Sequence, residues 1–297
     1  MISPKRINIG DKVGLLSTAR KISLFELNPA IEVLDSWGVK VVFGEFLFEE
    51  ENQFSGTVEQ RSTDLQNMIE NDEIKAIFFV RGGYGTVQII DKVNFSKLLQ
   101  NHKWIIGYSD ITVLHSHLNK LGLETLHATM PINFSKNTKK SLDSLQKVIF
   151  GERNVIKVEA HKLNRYGSVE AEIVGGNLSI LYSLLGSDSD IQTEGKILFI
   201  EDLDEYLYHV DRMVINMKRN NNFRSLKGMI IGGMTSMNDN KISFGKTAEE
   251  IILEYIKEYN FPVCFGFPSG HLDDNRSIRL GAISLLEINK NGVNLSQ

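Results

Sequence analysis

Lys103-Trp104-Ile105-Ile106-Gly107-Tyr108-Ser109-Asp110 is an apolar run that stops at a glycine and delivers a serine two residues later. The next segment, Ile111-Thr112-Val113-Leu114-His115-Ser116-His117-Leu118, has helical periodicity. Strand, tight turn with serine, then helix is the order by which α/β hydrolytic enzymes lift a hydroxyl clear of the backbone. The turn projects Oγ beyond the sheet edge, and the helix aims its N-terminal N–H groups and positive dipole end at the same place. A serine so placed attacks a carbonyl while nearby amides hold the oxyanion. The elbow is incomplete, because Gly107-Tyr108-Ser109-Asp110-Ile111 lacks the second glycine of Gly-x-Ser-x-Gly. Without chemistry, Ser109 or Asp110 reads as a plain helix cap.

Outward from this turn, the first half of the chain alternates. Residues 13–18, 39–43, 74–80 and 104–107 read as strands; 24–36 and 58–71 read as helices. Short β-rich runs separated by helices of this length predict an α/β fold, a mainly parallel sheet with helices on both faces. Ligands of such sheets gather at the carboxyl ends of the strands. Ser109 sits at one such end, and Arg81-Gly82-Gly83-Tyr84-Gly85 follows another. Near residue 151 the texture changes: 155–158 and 168–174 read as alternating strands. The domain boundary is expected within 151–167, with an N-terminal α/β domain over 1–155, a linker at 156–167 and a smaller C-terminal α/β domain over 168–297. In the latter, Gly175-Gly176-Asn177 opens a helix at 178–185, and 197–200 is a strand ending in Glu201-Asp202. Helices follow at 205–220 and 247–259, strands at 229–231 and 263–266, and 283–288 reads as a final edge strand.

Composition narrows the class. At 297 residues, with 42% hydrophobic and 24% charged residues and 5 prolines, the chain has the balance of an ordinary globular protein of one or two domains. A net charge of −4 makes no electrostatic case for nucleic acid or an anionic membrane. The one basic cluster, 218–224, reads as a solvated helix end and loop. The single cysteine, Cys264, excludes an intrachain disulfide and a Cys-based zinc site. No metal-ligand cluster is visible. The first residues carry no apolar core of signal-peptide length and no run approaches bilayer length, so the cytoplasm is the expected compartment.

The glycine cluster 82–85 lets a backbone approach a ligand and present its amides, although a structural turn fits equally. A dinucleotide fingerprint fails because Gln88 stands where its third glycine belongs, and Gly245-Lys246-Thr247 lacks the first glycine of a phosphate loop. A serine nucleophile needs a base, and the base a carboxylate to fix its tautomer. Of the 7 histidines, His271 stands apart, in the Gly/Pro-rich stretch Phe265-Gly266-Phe267-Pro268-Ser269-Gly270-His271 just after a buried strand. Glu201 occupies the matching place on another strand. Read blandly, Glu201 caps a helix and His271 makes a loop hydrogen bond.

Arg81-Gly82-Gly83-Tyr84-Gly85, Gly107-Tyr108-Ser109-Asp110, Gly175-Gly176-Asn177-Leu178, Glu201-Asp202 with Tyr208 and Asp211-Arg212-Met213, and Gly270-His271 with Asn275 resemble the LD-carboxypeptidase family. That family comprises serine peptidases, including murein tetrapeptide carboxypeptidases and microcin C self-immunity peptidases. The resemblance spans essentially the whole chain. It implies a triad of Ser109, His271 and Glu201, with Glu205 one turn further on as the competing acid. It also implies an oxyanion hole from the backbone N–H groups of Asp110 and Gly83. A flavodoxin-like N-terminal domain would carry the nucleophile and a smaller C-terminal domain the acid and base, in a cytoplasmic homodimer needing no metal or cofactor. The implied substrate is a murein peptide, met by Arg81 at its carboxylate and by Gly82 and Tyr84. The short connection from Glu172 to Glu201 resembles the murein branch more than the immunity branch. The rival readings are hydrolysis of acyl-sulfamoyl aminoacyl-adenylates and a non-catalytic module that binds cell-wall peptides.

Overall fold

Period-two alternation puts an apolar row on each face of a first sheet. In the computed structural model, which describes residues 1–297, this sheet contains β1 (Lys12–Leu16), β2 (Lys40–Phe43), β3 (Ile74–Phe79), β4 (Trp104–Gly107) and β5 (Thr125–His127), all parallel. Val13, Leu15, Phe78 and Ile106 point to one core, closed by α1 (Leu24–Ser36) and α5 (Lys139–Ile149). Leu16, Ile77, Phe79 and Ile105 point to the other, closed by α2 (Val58–Glu70), α3 (Ser96–Gln100) and α4 (Thr112–Lys120). Helices α1 and α2 start where Ser23 with Glu26, and Thr57 with Gln60, form reciprocal caps.

A second sheet uses β6 (Val155–Val158), β7 (Gly167–Asn177), β8 (Ile197–Leu203), β9 (Gly228–Thr235), β10 (Val263–Cys264), β12 (Ile283–Asn289) and β13 (Gly292–Ser296), in the order β10-β9-β8-β7-β12-β13-β6. Strands β7 to β10 run parallel; β7, β12, β13 and β6 are antiparallel. Helices α6 (Leu178–Leu184), α7 (Leu207–Arg219) and α8 (Ala248–Ile256) cover one face through Val210, Met213, Ile252 and their neighbours.

Four details depart from the sequence reading. Strand β12 lies inside its sheet, because a turn at Lys290-Asn291 folds the chain back into β13. The strand read at 155–158 forms as β6, but it pairs with β13 at the edge of the second sheet although its last residues were read as linker. The three-residue β11 (Ile278–Leu280) crosses back to pair antiparallel with β5 as an edge of the first sheet, too short to show a pattern. Gly175 and Gly176 remain in β7, and α6 opens only at Asn177, whose side chain accepts the Ile180 N–H.

Candidate active site

Ser109 follows β4 and starts the short turn Ser109–Ile111 leading into α4, with a backbone φ of +60°. A non-glycine residue in this left-handed region stores about 1–3 kcal/mol, held only where surroundings over-determine it. They do so here. The Gly107 carbonyl on one side accepts the Ala128 N–H at 3.1 Å and lies 2.9 Å from His115 Nε2. Tyr108 is buried and its hydroxyl donates to Asn133 at 3.2 Å. The strained turn leaves the Ser109 hydroxyl facing the second sheet.

There it meets a base. His271 Nε2 lies 3.1 Å from Ser109 Oγ, and its Nδ1 lies 2.7 Å from Glu201 Oε2, which also accepts the His271 backbone N–H at 3.2 Å. Glu201 is in β8 and wholly buried. Its charge keeps the imidazole proton on Nδ1, leaving Nε2 to accept the serine proton. Burial works against a charged His271, but the charge and hydrogen bond of Glu201, with Asp202 beyond, outweigh it and raise its pKa above the ordinary 6.5. The Tyr108 ring stands edge-on to the imidazole at 4.8 Å.

The base loop is anchored on the nucleophile's side of the molecule. Asn275 accepts the Gly270 N–H at 2.8 Å, while the Asn275 carbonyl takes the Ser141 hydroxyl at 2.6 Å and the Asp273 carbonyl takes the Thr138 N–H at 2.9 Å. Position 270 must be glycine. Its φ is +113°, and a Cβ would stand 2.6 Å from Glu201 Oε2 and 2.7 Å from Glu201 Cβ.

The glycine cluster after β3 lies on the other side of Ser109. A Cβ on Gly82 would be 3.3 Å from Ser109 Cβ, and the Gly83 N–H makes no hydrogen bond within the chain. The Asp110 N–H follows Ser109 directly, and the buried Asp110 carboxyl accepts from Thr86 N–H at 2.8 Å and Thr86 Oγ1 at 2.6 Å. Burial raises the Asp110 pKa against these hydrogen bonds. The buried Arg61 of α2 donates to the carbonyls of Thr18 at 2.7 Å and Gly85 at 3.1 Å, tying the loops after β1 and β3 together. Sequence reading missed Arg61 and Thr86. An arginine on the apolar stripe of α2, beside Leu65 and Met68, was the available signal. Arg81 pairs with Glu26 at 3.2 Å and donates to the Lys21 carbonyl at 3.1 Å. Tyr84 is half exposed, its ring 6.3 Å from Phe54. Glu205, the competing acid, is bound to His209 at 2.5 Å and takes no part in the Ser109–His271–Glu201 chain. His115 and His127 are core residues, and no three His, Cys, Asp or Glu side chains converge as a metal-binding group.

An activated hydroxyl, a base with its tautomer fixed, and a glycine loop with a free amide packed beside the serine are the parts of acyl-transfer geometry. Comparison with known proteins agrees. Residues 13–128 match the LD-carboxypeptidase N-terminal domain and residues 170–285 the LD-carboxypeptidase C-terminal domain. A probable murein peptide carboxypeptidase of Bacillus subtilis is 32% identical over 290 residues, covering 94% of this chain and 89% of its own. The murein tetrapeptide carboxypeptidase of Pseudomonas aeruginosa is 28% identical over 294 residues, covering 95% of each. Among solved structures, the microcin C7 self-immunity protein MccF in its wild-type apo state superposes with a TM-score of 0.89 at 21% identity, covering 100% of this chain and 99% of that one; this likeness speaks to fold alone. The chain belongs to the LD-carboxypeptidase family and is a serine-type peptidase.

Proposed function

We propose that this enzyme removes the terminal D-alanine from murein tetrapeptides by cutting the amide between an L-configured and a D-configured centre. His271, oriented by Glu201, takes the Ser109 proton as Oγ attacks the scissile carbonyl. The N–H groups of Gly83 and Asp110 receive the oxyanion, each donor worth roughly 3 kcal/mol in the transition state. His271 then protonates the departing amine of D-alanine, and water resolves the acyl-enzyme by the same relay. The observation that carries this reading is the hydrogen-bonded chain Ser109–His271–Glu201 at 3.1 and 2.7 Å. The names of the Bacillus and Pseudomonas relatives support the murein substrate.

Purified protein incubated with a murein tetrapeptide and, separately, with an acyl-sulfamoyl aminoacyl-adenylate tests it. Faster release of D-alanine supports the reading; faster cleavage of the nucleotide conjugate transfers the assignment to the immunity activity, and turnover of neither favours a binding module. A cytoplasmic location and a homodimeric state, both carried by the family resemblance, belong to the same proposal. Light scattering on the eluted protein tests the second, with a mass near 33.6 kDa speaking against it.

A further inference from the structure

A carboxypeptidase must recognise the free carboxylate at the end of its substrate, and three arginines lie at the glycine loop, of which the buried Arg61 is spent on the Thr18 and Gly85 carbonyls. Arg81 is engaged by Glu26 and the Lys21 carbonyl. Arg20, in the loop after β1, is exposed and its side chain takes part in no ion pair and no hydrogen bond, although the chain forms 13 ion pairs elsewhere. We propose that Arg20 is the specificity residue that receives the substrate's terminal carboxylate.

The placement comes from the packing of two consecutive glycines. Gly82 lies against Ser109, where a Cβ would be 3.3 Å from Ser109 Cβ. Gly83 lies against Arg20, where a Cβ would be 2.7 Å from Cδ and 2.8 Å from both Cγ and Nε. The missing side chain at Gly83, whose φ is +115°, is the room the arginine stem occupies. The backbone of Arg20 is itself pinned, since its carbonyl accepts the Ser17 hydroxyl at 2.8 Å and it bridges to Phe54. A glycine loop two residues wide therefore separates the nucleophile from a free guanidinium. With the scissile carbonyl on the Gly83 amide, the terminal carboxylate carbon is only three bonds further, about 4 Å away. A planar guanidinium matches both carboxylate oxygens, which a lysine or a backbone amide does not.

This rests on the proposed peptidase function, and the test separates the two. D-alanine release by the native enzyme tests the function. The ratio of kcat/KM for a tetrapeptide acid to that for its C-terminal amide tests Arg20. In Arg20→Met this preference should fall about 10- to 100-fold, the value of a charge-assisted hydrogen bond or two, with turnover of the amide nearly unchanged. Arg20→Lys should retain part of the preference. An unchanged ratio in Arg20→Met, an equal loss on both substrates, or a collapse of the ratio in Arg81→Met but not Arg20→Met would overturn the assignment.

Discussion

Glu201→Gln perturbs the relay at its most buried member while keeping shape. Glu201 has no solvent exposure, and one oxygen, Oε2, accepts from both Nδ1 and the backbone of His271. Glutamine fills the same space, so the fold should survive, as a thermal melt will verify. Two things change chemically. The charge that holds the proton on Nδ1 is gone, and an amide N–H turned toward the ring would favour the wrong tautomer. By the logic of the serine-histidine-acid relay, kcat should drop about 10³- to 10⁴-fold, or roughly 4–5.5 kcal/mol of transition-state stabilisation. The second change is in the base itself. Burial is the largest influence on His271 and lowers its pKa; Glu201 is what lifts it above 6.5. Without that charge the pKa must fall. The base works neutral, so the acid limb of kcat/KM against pH reports it in the free enzyme. D-alanine release measured from about pH 5 to 9 should therefore show a plateau thousands of fold lower and an acid limb moved to lower pH. A plateau within about tenfold of the native enzyme, or an acid limb that stays in place or moves up, would refute the reasoning.

Gly270→Ala forces a Cβ to within 2.6 Å of Glu201 Oε2 at a φ of +113°; kcat should fall at least about 100-fold through misplacement of His271, and a loss under threefold would contradict this packing. Arg61→Met strips the Thr18 and Gly85 carbonyls of their donor; urea unfolding should show about 2–4 kcal/mol lost together with a lower kcat, and native-like stability would be the contrary result. Asp202 is pushed up to about 7, first by burial and then by the charge of Glu201. Its native form holds a proton that the unfolded chain releases near pH 4, so its own contribution to stability, read as native minus Asp202→Asn, should fall as pH rises from about 4 to 7, by up to about 4 kcal/mol. Asp202→Asn lacks that contribution, so its unfolding free energy should lose less, or gain more, than the native protein's over this window. In both proteins Asp64, pushed up to about 6, and the buried Asp110 add to stability with the same sign, while His115 and His127, whose burial lowers their pKa values, add with the opposite sign, so equal slopes in variant and native protein would rule the explanation out.

The strand-end geometry was legible because apolar runs ending at Gly107, Ile200 and Cys264 each deliver a polar side chain where parallel sheets expose ligands. The incomplete elbow has a local cause. A side chain on Gly107 would come within 2.8 Å of Ile111 Cγ1, so the one glycine before Ser109 provides the close approach of turn to strand and Ile111 fills the space after it. What escaped the sequence depends on contacts across long separations. Arg61 reaches Gly85 over 24 residues and Ser141 reaches Asn275 over 134, and neither pairing leaves a periodic trace. Strand β11 has three residues, fewer than an alternation needs to declare itself, and the interior position of β12 depended on a turn that forms only with β13 in place.

The relay stands or falls with the serine hydroxyl. Turnover of a murein tetrapeptide by Ser109→Ala, a change that removes one oxygen and leaves His271 and Glu201 paired, should be at least about 10⁴-fold slower than by the native enzyme. Release of D-alanine at an undiminished rate would mean that another group attacks the amide.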